Sequence, residues 1–311
     1  MEKQKRISEI IELWKSDKKK YVKQSSFSAY ALLVENHLLP AFGNMFSIEE
    51  ADVQQFVFQK LTEGLSQKSI KDILIVLKMI LKFGAKNKFL EYISFDIQFP
   101  TERDKRPIEV LSRSNQKRIM DYVQENFTFK SLGIYICLCT GIRIGEMCAL
   151  TWNDIDVEAG IIYVRKTIQR IYIMENGKRH TELLLDTPKT KNSIRDIPMS
   201  NDLLKIIKPL RKTANGSFFV LTNNAKPIEP RTYRNYYRNL ITALNIPRLK
   251  FHSLRHSFAT RCIESNCDYK TVSVILGHSN ISTTLNLYVH PNLEQKKKCI
   301  DRMSKALGTN R

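Results

Sequence analysis

A charged segment early in the chain separates two parts with different sequence patterns. It runs from Pro100 to Pro107, is bounded by prolines and is poor in apolar residues. Before it, apolar residues recur at helical spacing, whereas after it helical stretches alternate with runs rich in β-branched and aromatic residues. We therefore expect two domains, with an all-α domain at residues 1–100, a linker at 101–107 and a mixed α+β domain at 108–311.

The first part has the start and stop signals of a small helical bundle. Ser25 or Ser26 can cap a helix that Pro40 stops, and Ser66 can cap a longer one. Apolar residues at helical spacing follow Ser66, namely Ile70, Ile73, Leu74, Leu77, Ile80 and Leu81. One face of this longer helix is predicted to enter a core.

The second part is predicted to be mainly helical with a small antiparallel sheet. Residues 161–198 are rich in Ile, Val, Tyr and Thr, and Asn176-Gly177 is a hairpin signal. A last strand is expected at 194–197, before Pro198. The chain ends in a predicted tail helix at 292–308, which carries an apolar stripe of Ile300, Met303 and Leu307.

The net charge of +19 is carried mainly by the second part. Residues 1–100 hold 15 basic and 12 acidic side chains, whereas residues 101–311 hold 35 and 19. A charge of this size favours a polyanionic partner, because binding releases condensed counterions. Charge alone also fits a soluble basic protein that has no such partner.

The sequence contains no pattern typical of a membrane protein or a secreted protein. Lys78 and Lys82 interrupt the apolar stretch from 70 to 83, and no signal segment follows Met1–Arg6. The six cysteines lack the paired spacing of a zinc site and the density of a disulfide framework. We expect free thiols, a cytoplasmic location and no membrane partner.

Five short motifs in the second part carry residues suited to phosphate chemistry. In chain order they are Thr140–Glu146 (TGxRxGE), the turn at Lys189, His252–His256 (HxLRH), Leu276–His278 (LGH) and Tyr288–His290 (YxH). Arginines can hold a phosphodiester through bidentate hydrogen bonds, and histidines can donate hydrogen bonds or move protons near neutral pH. A tyrosine can attack phosphorus and form a covalent intermediate. Together the motifs predict a site that cuts and rejoins a nucleic-acid backbone.

Each motif alone also has an ordinary structural interpretation. Arg143 could form a surface ion pair with Glu146, one helical turn along, and a lone histidine such as His278 is more often structural. The combination favours the functional interpretation, because Arg255 supplies a second phosphate-binding arginine. His252 lies three residues before Arg255 and is expected on the same face of a helix.

The five motifs, in this order and at these separations, resemble the tyrosine recombinase (phage integrase) family. The segment His37–Gly43 also resembles a phrase of that family's helical core-binding domain. The resemblance implies six catalytic residues: Arg143, Lys189, His252, Arg255, His278 and Tyr288. Tyr288 is then the nucleophile and Lys189 the general acid for the departing 5′-oxygen, while the other four hold the scissile phosphate. No cofactor or metal is expected.

The sequence leaves three of these assignments open. Lys191 is the rival of Lys189 as general acid, because both lie in the same polar turn. Glu146 is expected to orient Arg143 or a histidine rather than to act on substrate. His256 and His290 are expected to be structural.

A second basic group lies on a predicted helix between the sheet and the HxLRH motif. Arg231, Arg234 and Arg238 fall on one helical face. Tyrosines and leucines fall on the opposite face, which is expected to pack against a core. The arginines are predicted to contact the DNA backbone, and simple solvation is the alternative.

The resemblance implies site-specific recombination of double-stranded DNA by a homotetramer. The reaction proceeds through a 3′-phosphotyrosine and a Holliday junction, and the tail helix is exchanged between protomers. Accessory DNA-bending or directionality factors are possible partners, and the protein is expected to associate with the nucleoid. Because core-binding sequence begins within the first few dozen residues, we expect no arm-binding domain before it.

Several functions are compatible with this chemistry. We favour an integrase of a phage or conjugative element, because of the expanded sheet region at 161–198 and the Leu287–Pro291 phrase. The alternative within the family is a Xer-like resolvase of chromosome or plasmid dimers. A type IB topoisomerase and a non-catalytic DNA-binding regulator are further alternatives. The regulator is disfavoured because every expected position is filled.

Overall fold

A computed structural model describes residues 5–101, 109–175, 178–285 and 293–308. The predicted linker, apart from Thr101, and the hairpin turn at Asn176-Gly177 lie outside the described residues. The chain divides into two compact units. Unit 1 comprises Met1–Arg106 with Arg170–Leu184, and unit 2 comprises Pro107–Gln169 with Leu185–Arg311.

Unit 1 is built mainly from helices around one apolar core. The helices are α1 (Ile7–Lys18), α2 (Gln24–Leu33), α3 (Leu39–Phe42), α4 (Glu50–Thr62) and α5 (Gln67–Lys86). The side chain of Ser66 caps α5 as predicted, because its oxygen accepts a hydrogen bond from Ser69 N at 3.2 Å. Ile70, Ile73 and Ile80 of α5 are fully buried in the core.

Pro40 does not stop the second helix, so that prediction is wrong. A π-helical turn at Val34–Leu38 joins α2 to α3, and Pro40 lies at the start of α3. Proline is tolerated in the first turn of a helix, where its missing N–H has no intrahelical partner to lose. The predicted capping serines, Ser25 and Ser26, lie inside α2.

A two-stranded sheet carries part of the second sequence region into unit 1. Its strands are β3 (Thr167–Glu175) and β4 (Lys178–Asp186). Residues Arg170–Leu184 of this pair group with the N-terminal helices, where the Tyr172 backbone N–H donates to Ser28 Oγ at 2.7 Å. Sequence order alone placed the pair in the C-terminal domain, and the domain boundaries stay a prediction.

Unit 2 combines helices with a small sheet. Its helices are α6 (Arg113–Glu125), α7 (Phe129–Thr140), α8 (Ile144–Ala149), α9 (Asn201–Thr213), α10 (Pro230–Ala243), α11 (His252–Glu264), α12 (Tyr269–Leu276), α13 (Ser282–Leu285) and α14 (Leu293–Ala306). A three-stranded sheet has the order β1 (Ile155–Asp156), β2 (Ile161–Val164) and β5 (Arg195–Pro198), with antiparallel pairing throughout. The apolar core of this unit includes Trp152 and most of α7. A helical N-terminal region and small antiparallel sheets in the rest of the chain agree with the predicted fold class.

The end of the described chain is a helix with exposed apolar residues. Helix α14 covers most of the predicted 292–308 helix, and Ile300, Met303 and Leu307 are all exposed. In the described part of the chain, no helix is long and apolar enough to cross a membrane. The six cysteines are free thiols, as predicted.

Candidate active site

Arg143 is held at the start of a short helix by the residues around it. It is the N-cap of α8, after a tight turn at Gly141, whose φ of +64° is a conformation that side chains other than glycine rarely adopt. A Cβ at Gly141 would also lie 2.6 Å from side-chain atoms of Leu276 and Phe258. The TG turn therefore fixes where the chain enters α8 and where the side chain of Arg143 begins.

Arg255 points into the same region from α11. Arg255 is only 3% exposed, and its guanidinium donates hydrogen bonds to Gly141 O at 2.8 Å and to Leu276 O at 2.6 Å. Burial, followed by the positive charges of Arg143 and Arg195, lowers the pKa of Arg255. The guanidinium still remains protonated at neutral pH, because arginine does not lose its proton in proteins. A buried cation of this kind favours an anionic ligand.

Three arginines meet at the C-terminal end of α12. Arg195 Nε donates to Ile275 O at 2.6 Å, Arg255 Nη2 to Leu276 O, and Arg143 Nη2 to Gly277 O at 2.9 Å. Carbonyls at a helix end have no intrahelical partner and form the negative end of the helix dipole. The LGH motif therefore positions the arginines with consecutive backbone oxygens.

Gly277 makes this arrangement possible. It ends α12 with a φ of +66°. A Cβ there would lie 2.6 Å from Asn192 O and 3.0 Å from the Cδ of Arg195. The backbone of the turn before β5 thus packs directly against the LGH loop, and only glycine leaves room for it.

Glu146 joins two of the three arginines. Its carboxylate accepts hydrogen bonds from Arg143 Nη1 and the Arg143 backbone N–H, at 2.8 and 2.9 Å. It also accepts from Arg195 Nη1 and Nη2, at 3.1 and 2.8 Å. Although burial alone would raise the pKa of Glu146, these hydrogen bonds and charges lower it below its usual value.

Sequence reasoning did not assign a role to Arg195. It lies next to the lysine turn, in β5, and it is buried. The one available signal was an arginine in a strand whose alternate position, Ile197, faces the core, because the two residues then share a buried face. A buried arginine requires a partner, and that partner is 49 residues away in the sequence.

His252 and His256 lie one turn apart on α11 and touch each other. Their rings meet edge to face with centroids 4.5 Å apart. Burial first, and then the nearby charges of Arg255 and Arg143, lower the pKa of His252. Burial, His252 and Arg255 lower the pKa of His256 to about 4. Both rings are therefore neutral in the free protein near pH 7.

His278 is held by a residue that the sequence did not indicate. Its Nδ1 lies 2.8 Å from Thr284 Oγ1, and Thr284 is fully buried. Burial and the charges of Arg255 and Arg143 lower the pKa of His278 to about 4. When the Thr284 hydroxyl donates to Nδ1, the ring proton of the neutral histidine sits on Nε2 and is available to a ligand.

A pocket of about 650 Å³ opens beside these residues and has a basic lining. Arg143, His252 and Arg255 line it together with Arg234 and Arg238 of α10, whereas Arg231 is not among the lining residues. All three α10 arginines are exposed, while Tyr233 and Tyr237 on the opposite face are buried, as predicted. The lining includes two further basic residues without a predicted role, Arg248 and Lys250. Their position directly before the HxLRH motif was the available signal.

The predicted general acid lies at the protein surface. Lys189 and its rival Lys191 are exposed in the segment between β4 and β5. Tyr288, the predicted nucleophile, and the nearby His290 lie outside the described residues. Among the described residues, no cluster of three or more His, Cys, Asp and Glu side chains could hold a metal ion.

Two family models match the chain. The model of the phage integrase family matches residues 109–295. The model of the phage integrase N-terminal SAM-like domain matches residues 7–61. The chain therefore belongs to the phage integrase family.

Similar proteins carry related names. A tyrosine recombinase XerC-like protein of Caldanaerobacter subterraneus subsp. tengcongensis is 29% identical over 279 residues, which cover 83% of this chain and 71% of that protein. The transposase from transposon Tn916 of Enterococcus faecalis is 25% identical over 283 residues, or 83% of this chain and 67% of that protein. The solved structure of the Tn1549 transposon integrase with circular intermediate DNA aligns with a TM-score of 0.75 and 23% identity, over 96% of this chain and all of that one.

These similarities agree with the sequence-based predictions at the level of class. The predicted family and fold class are confirmed. The chain is a tyrosine-type site-specific recombinase, as its motifs indicated. The roles of the individual residues stay predictions.

Proposed function

We propose that this protein cuts and rejoins double-stranded DNA at specific sites through a 3′-phosphotyrosine formed at Tyr288. The observation that carries the proposal is the convergence of Arg143 and Arg255 on one basic pocket, with their side chains fixed by backbone carbonyls. Fixed cations in a partly buried site stabilise developing negative charge better than mobile ones, because no reorganisation is needed during the reaction.

Both arginines keep hydrogen-bond donors for a ligand. A guanidinium has five N–H groups. Two of those on Arg143 and two on Arg255 have partners among the described residues, which leaves three on each. These groups suit the two non-bridging oxygens of a phosphodiester. The neutral rings of His252 and His278 add N–H donors beside them.

The proposed chemistry is a pair of opposite phosphoryl transfers. The phenolic oxygen of Tyr288 attacks phosphorus as its proton passes to the neutral ring of His252, and the bond from phosphorus to the 5′-oxygen breaks. Lys189, or Lys191 in the alternative assignment, gives the departing oxygen its proton. The free 5′-hydroxyl of a partner strand then attacks the phosphotyrosine and gives its proton to the lysine, while the departing phenol regains its proton from His252. Two such rounds give a Holliday junction and its resolution with no net change in bond energy.

The charge around the pocket supports duplex DNA as the partner. Arg234, Arg238, Arg248 and Lys250 extend the basic surface from the phosphate site. Exposed arginines and lysines contact phosphates and fix the register of a protein on DNA, without reading the sequence. Arg231 continues this row on the exposed face of α10.

The tail supports assembly on DNA. Ile300 and Met303 of α14 and the following Leu307 are exposed, and they form a stripe of the kind that packs on another surface. We propose that α14 docks on a neighbouring protomer in a tetramer, and that the protein associates with the nucleoid. DNA-bending or directionality proteins are the accessory partners that this reaction can use.

Within the family we favour the integrase of a mobile element. The support is the similarity to the Tn916 transposase and to the fold of the Tn1549 integrase. A Xer-like resolvase is the second candidate, because the XerC-like relative is 29% identical. Excision of a circular element from its flanking DNA would favour the integrase, whereas resolution of plasmid dimers without integration would favour the resolvase.

A suicide substrate with a nick beside the cleavage position tests the chemistry. Wild-type protein should become covalently attached to this DNA in the presence of EDTA. Tyr288→Phe should bind the same DNA and form no adduct. An adduct in that variant would refute the nucleophile assignment, and a strict requirement for a metal ion would refute the mechanism.

A further inference from the structure

The carboxylate of Glu146 has more cationic partners than an orienting residue needs. It accepts two hydrogen bonds from Arg143 and two from Arg195, while its side chain is only 3% exposed. To hold Arg143 in place, Glu146 would need no partner other than Arg143. The arrangement instead balances one buried negative charge against two positive ones.

Arg143 and Arg195 differ in exposure and in the number of N–H groups that are available to a ligand. The side chain of Arg143 is 32% exposed and keeps three N–H groups for the pocket, whereas that of Arg195 is 5% exposed. Arg195 donates to Ile275 O, to Ser193 O and twice to Glu146, and it does not line the pocket. Arg195 is therefore placed to act on Glu146 and not on DNA.

The charges of this group determine how strongly it attracts phosphate. Arg143, Arg195, Arg255 and Glu146 together leave two net positive charges. Without Arg195, Glu146 would pair with Arg143 alone, and the charge of that pair would cancel in the partly buried site. Arg143 would then hold the phosphate with its hydrogen bonds but with little of its charge.

We propose that Arg195 is a positioning residue for phosphate activation, which neutralises Glu146 so that Arg143 keeps its charge for the scissile phosphate. Glu146 fixes Arg143 at the N-cap of α8, and Arg195 offsets the negative charge that this fixation introduces. The inference rests on the proposed function, since it concerns the step in which negative charge builds up on the phosphate.

The central experiment compares Arg195→Met with the double variant Arg195→Met/Glu146→Gln. The rate of adduct formation on the nicked substrate is measured at pH 8 with saturating DNA, so that the remaining glutamate stays ionised. Arg195→Met should be slower than wild type by about 10- to 100-fold, less than the loss of a direct oxyanion donor. The double variant restores the net charge of the group and should recover at least half of that loss on a logarithmic scale.

The double variant separates charge compensation from simple support of the fold. If Arg195 only stabilised the structure, a second substitution in the same buried pair would leave the rate as low or lower. That result would overturn the proposal. The melting temperature of each variant is measured as well, and the rates are compared at a temperature at which all of them are folded.

A neutral substrate supplies a readout that structural damage would not change. A methylphosphonate at the scissile position carries one negative charge fewer than a phosphate, so its reaction depends less on the charge of Arg143. The defect of Arg195→Met should therefore be smaller on this substrate. An equal defect on both substrates would contradict the proposal.

Two further variants complete the design. Arg195→Lys keeps the positive charge without the planar fork and should be faster than Arg195→Met. Arg113→Met removes another arginine–carboxylate pair, with Glu264, and should stay within about twofold of wild type because the side chain of Arg113 is 76% exposed. If the wild type forms no adduct, the proposed function itself fails. If the wild type reacts and the double variant is not rescued, only the role of Arg195 fails.

Discussion

The two units of this protein are stabilised in different ways. Among the described residues, unit 1 buries apolar side chains and, of the polar ones, only Ser25 and Ser28. Unit 2 has an apolar core as well, yet it also buries Glu146, Arg195 and Arg255. Buried charges are costly to desolvate, and replacing them by apolar residues often stabilises a protein. Their presence in unit 2 is therefore better explained by a preorganised anion site than by stability.

Substitutions in the two units should therefore have different consequences. In unit 1 a core substitution should cost stability and little else. In unit 2 a polar substitution near Arg255 should cost reaction rate. The two tryptophans permit the units to be followed separately, because Trp14 is buried in unit 1 and Trp152 in unit 2. Trp14→Phe and Trp152→Phe each leave one fluorescent reporter.

The largest effect is expected from a cavity in the core of unit 1. Ile73→Ala should lower the free energy of unfolding of this unit by about 2–5 kcal/mol, because Ile73 is fully buried on α5. Denaturant titration followed by Trp14 fluorescence measures it. Ile75→Ala on the same helix is the control, since Ile75 is 55% exposed, and its effect should stay within about 0.5 kcal/mol.

The same variant tests whether unit 1 is chemically passive. With saturating DNA at a temperature at which Ile73→Ala is folded, the rate of adduct formation should match the wild type. A large loss of rate under these conditions would mean that the packing of unit 1 affects the chemical step, and the contrast between the units would be lost.

A smaller effect is expected at the hydroxyl that holds His278. Thr284→Val keeps the shape of the side chain and removes the hydrogen bond to Nδ1. The net contribution of one hydrogen bond is about 0.5–1.5 kcal/mol. If that energy holds the ring in its reactive position, the adduct should form up to about tenfold more slowly in the variant. Thr283→Val is the matched control, because Thr283 is exposed on the same helix. If both variants react equally, Thr284 does not position the ring.

A further prediction concerns the stability of unit 2 in acid. The pKa values of His256 and His278 are about 4 in the folded protein, whereas a histidine in an unfolded chain has a value near 6.5. Between these values the unfolded state binds more protons, so stability falls as the pH is lowered from about 6.5 to about 4. Urea titration followed by Trp152 fluorescence at pH 7 and pH 5 measures this change.

Replacement of the histidines provides the control for the acid effect. The double variant His256→Asn/His278→Gln should lose less stability than the wild type between the two pH values. An unchanged pH dependence would show that these rings are not the groups that titrate.

Much of the fold could be predicted because its signals are local. The helical face of α5 and the cap at Ser66 depend on residues within a few turns of each other. The exposed arginines and buried tyrosines of α10 follow from one helical period in the same way. The sequence did not predict that helical structure continues past Pro40. A π-helical turn before it inserts an extra residue, which a regular helical period does not anticipate.

The sequence by itself determined the class of this protein, the order of its motifs and the residue types that its chemistry requires. The tertiary structure decided how these residues are held. Arg195 meets Glu146 across 49 residues, Arg255 reaches Gly141 across 114, and Arg143 reaches Gly277 across 134. Contacts at such separations leave no periodic trace in a single sequence, since they depend on how distant elements pack. The ion pair between Arg195 and Glu146 could therefore be identified only from the folded chain.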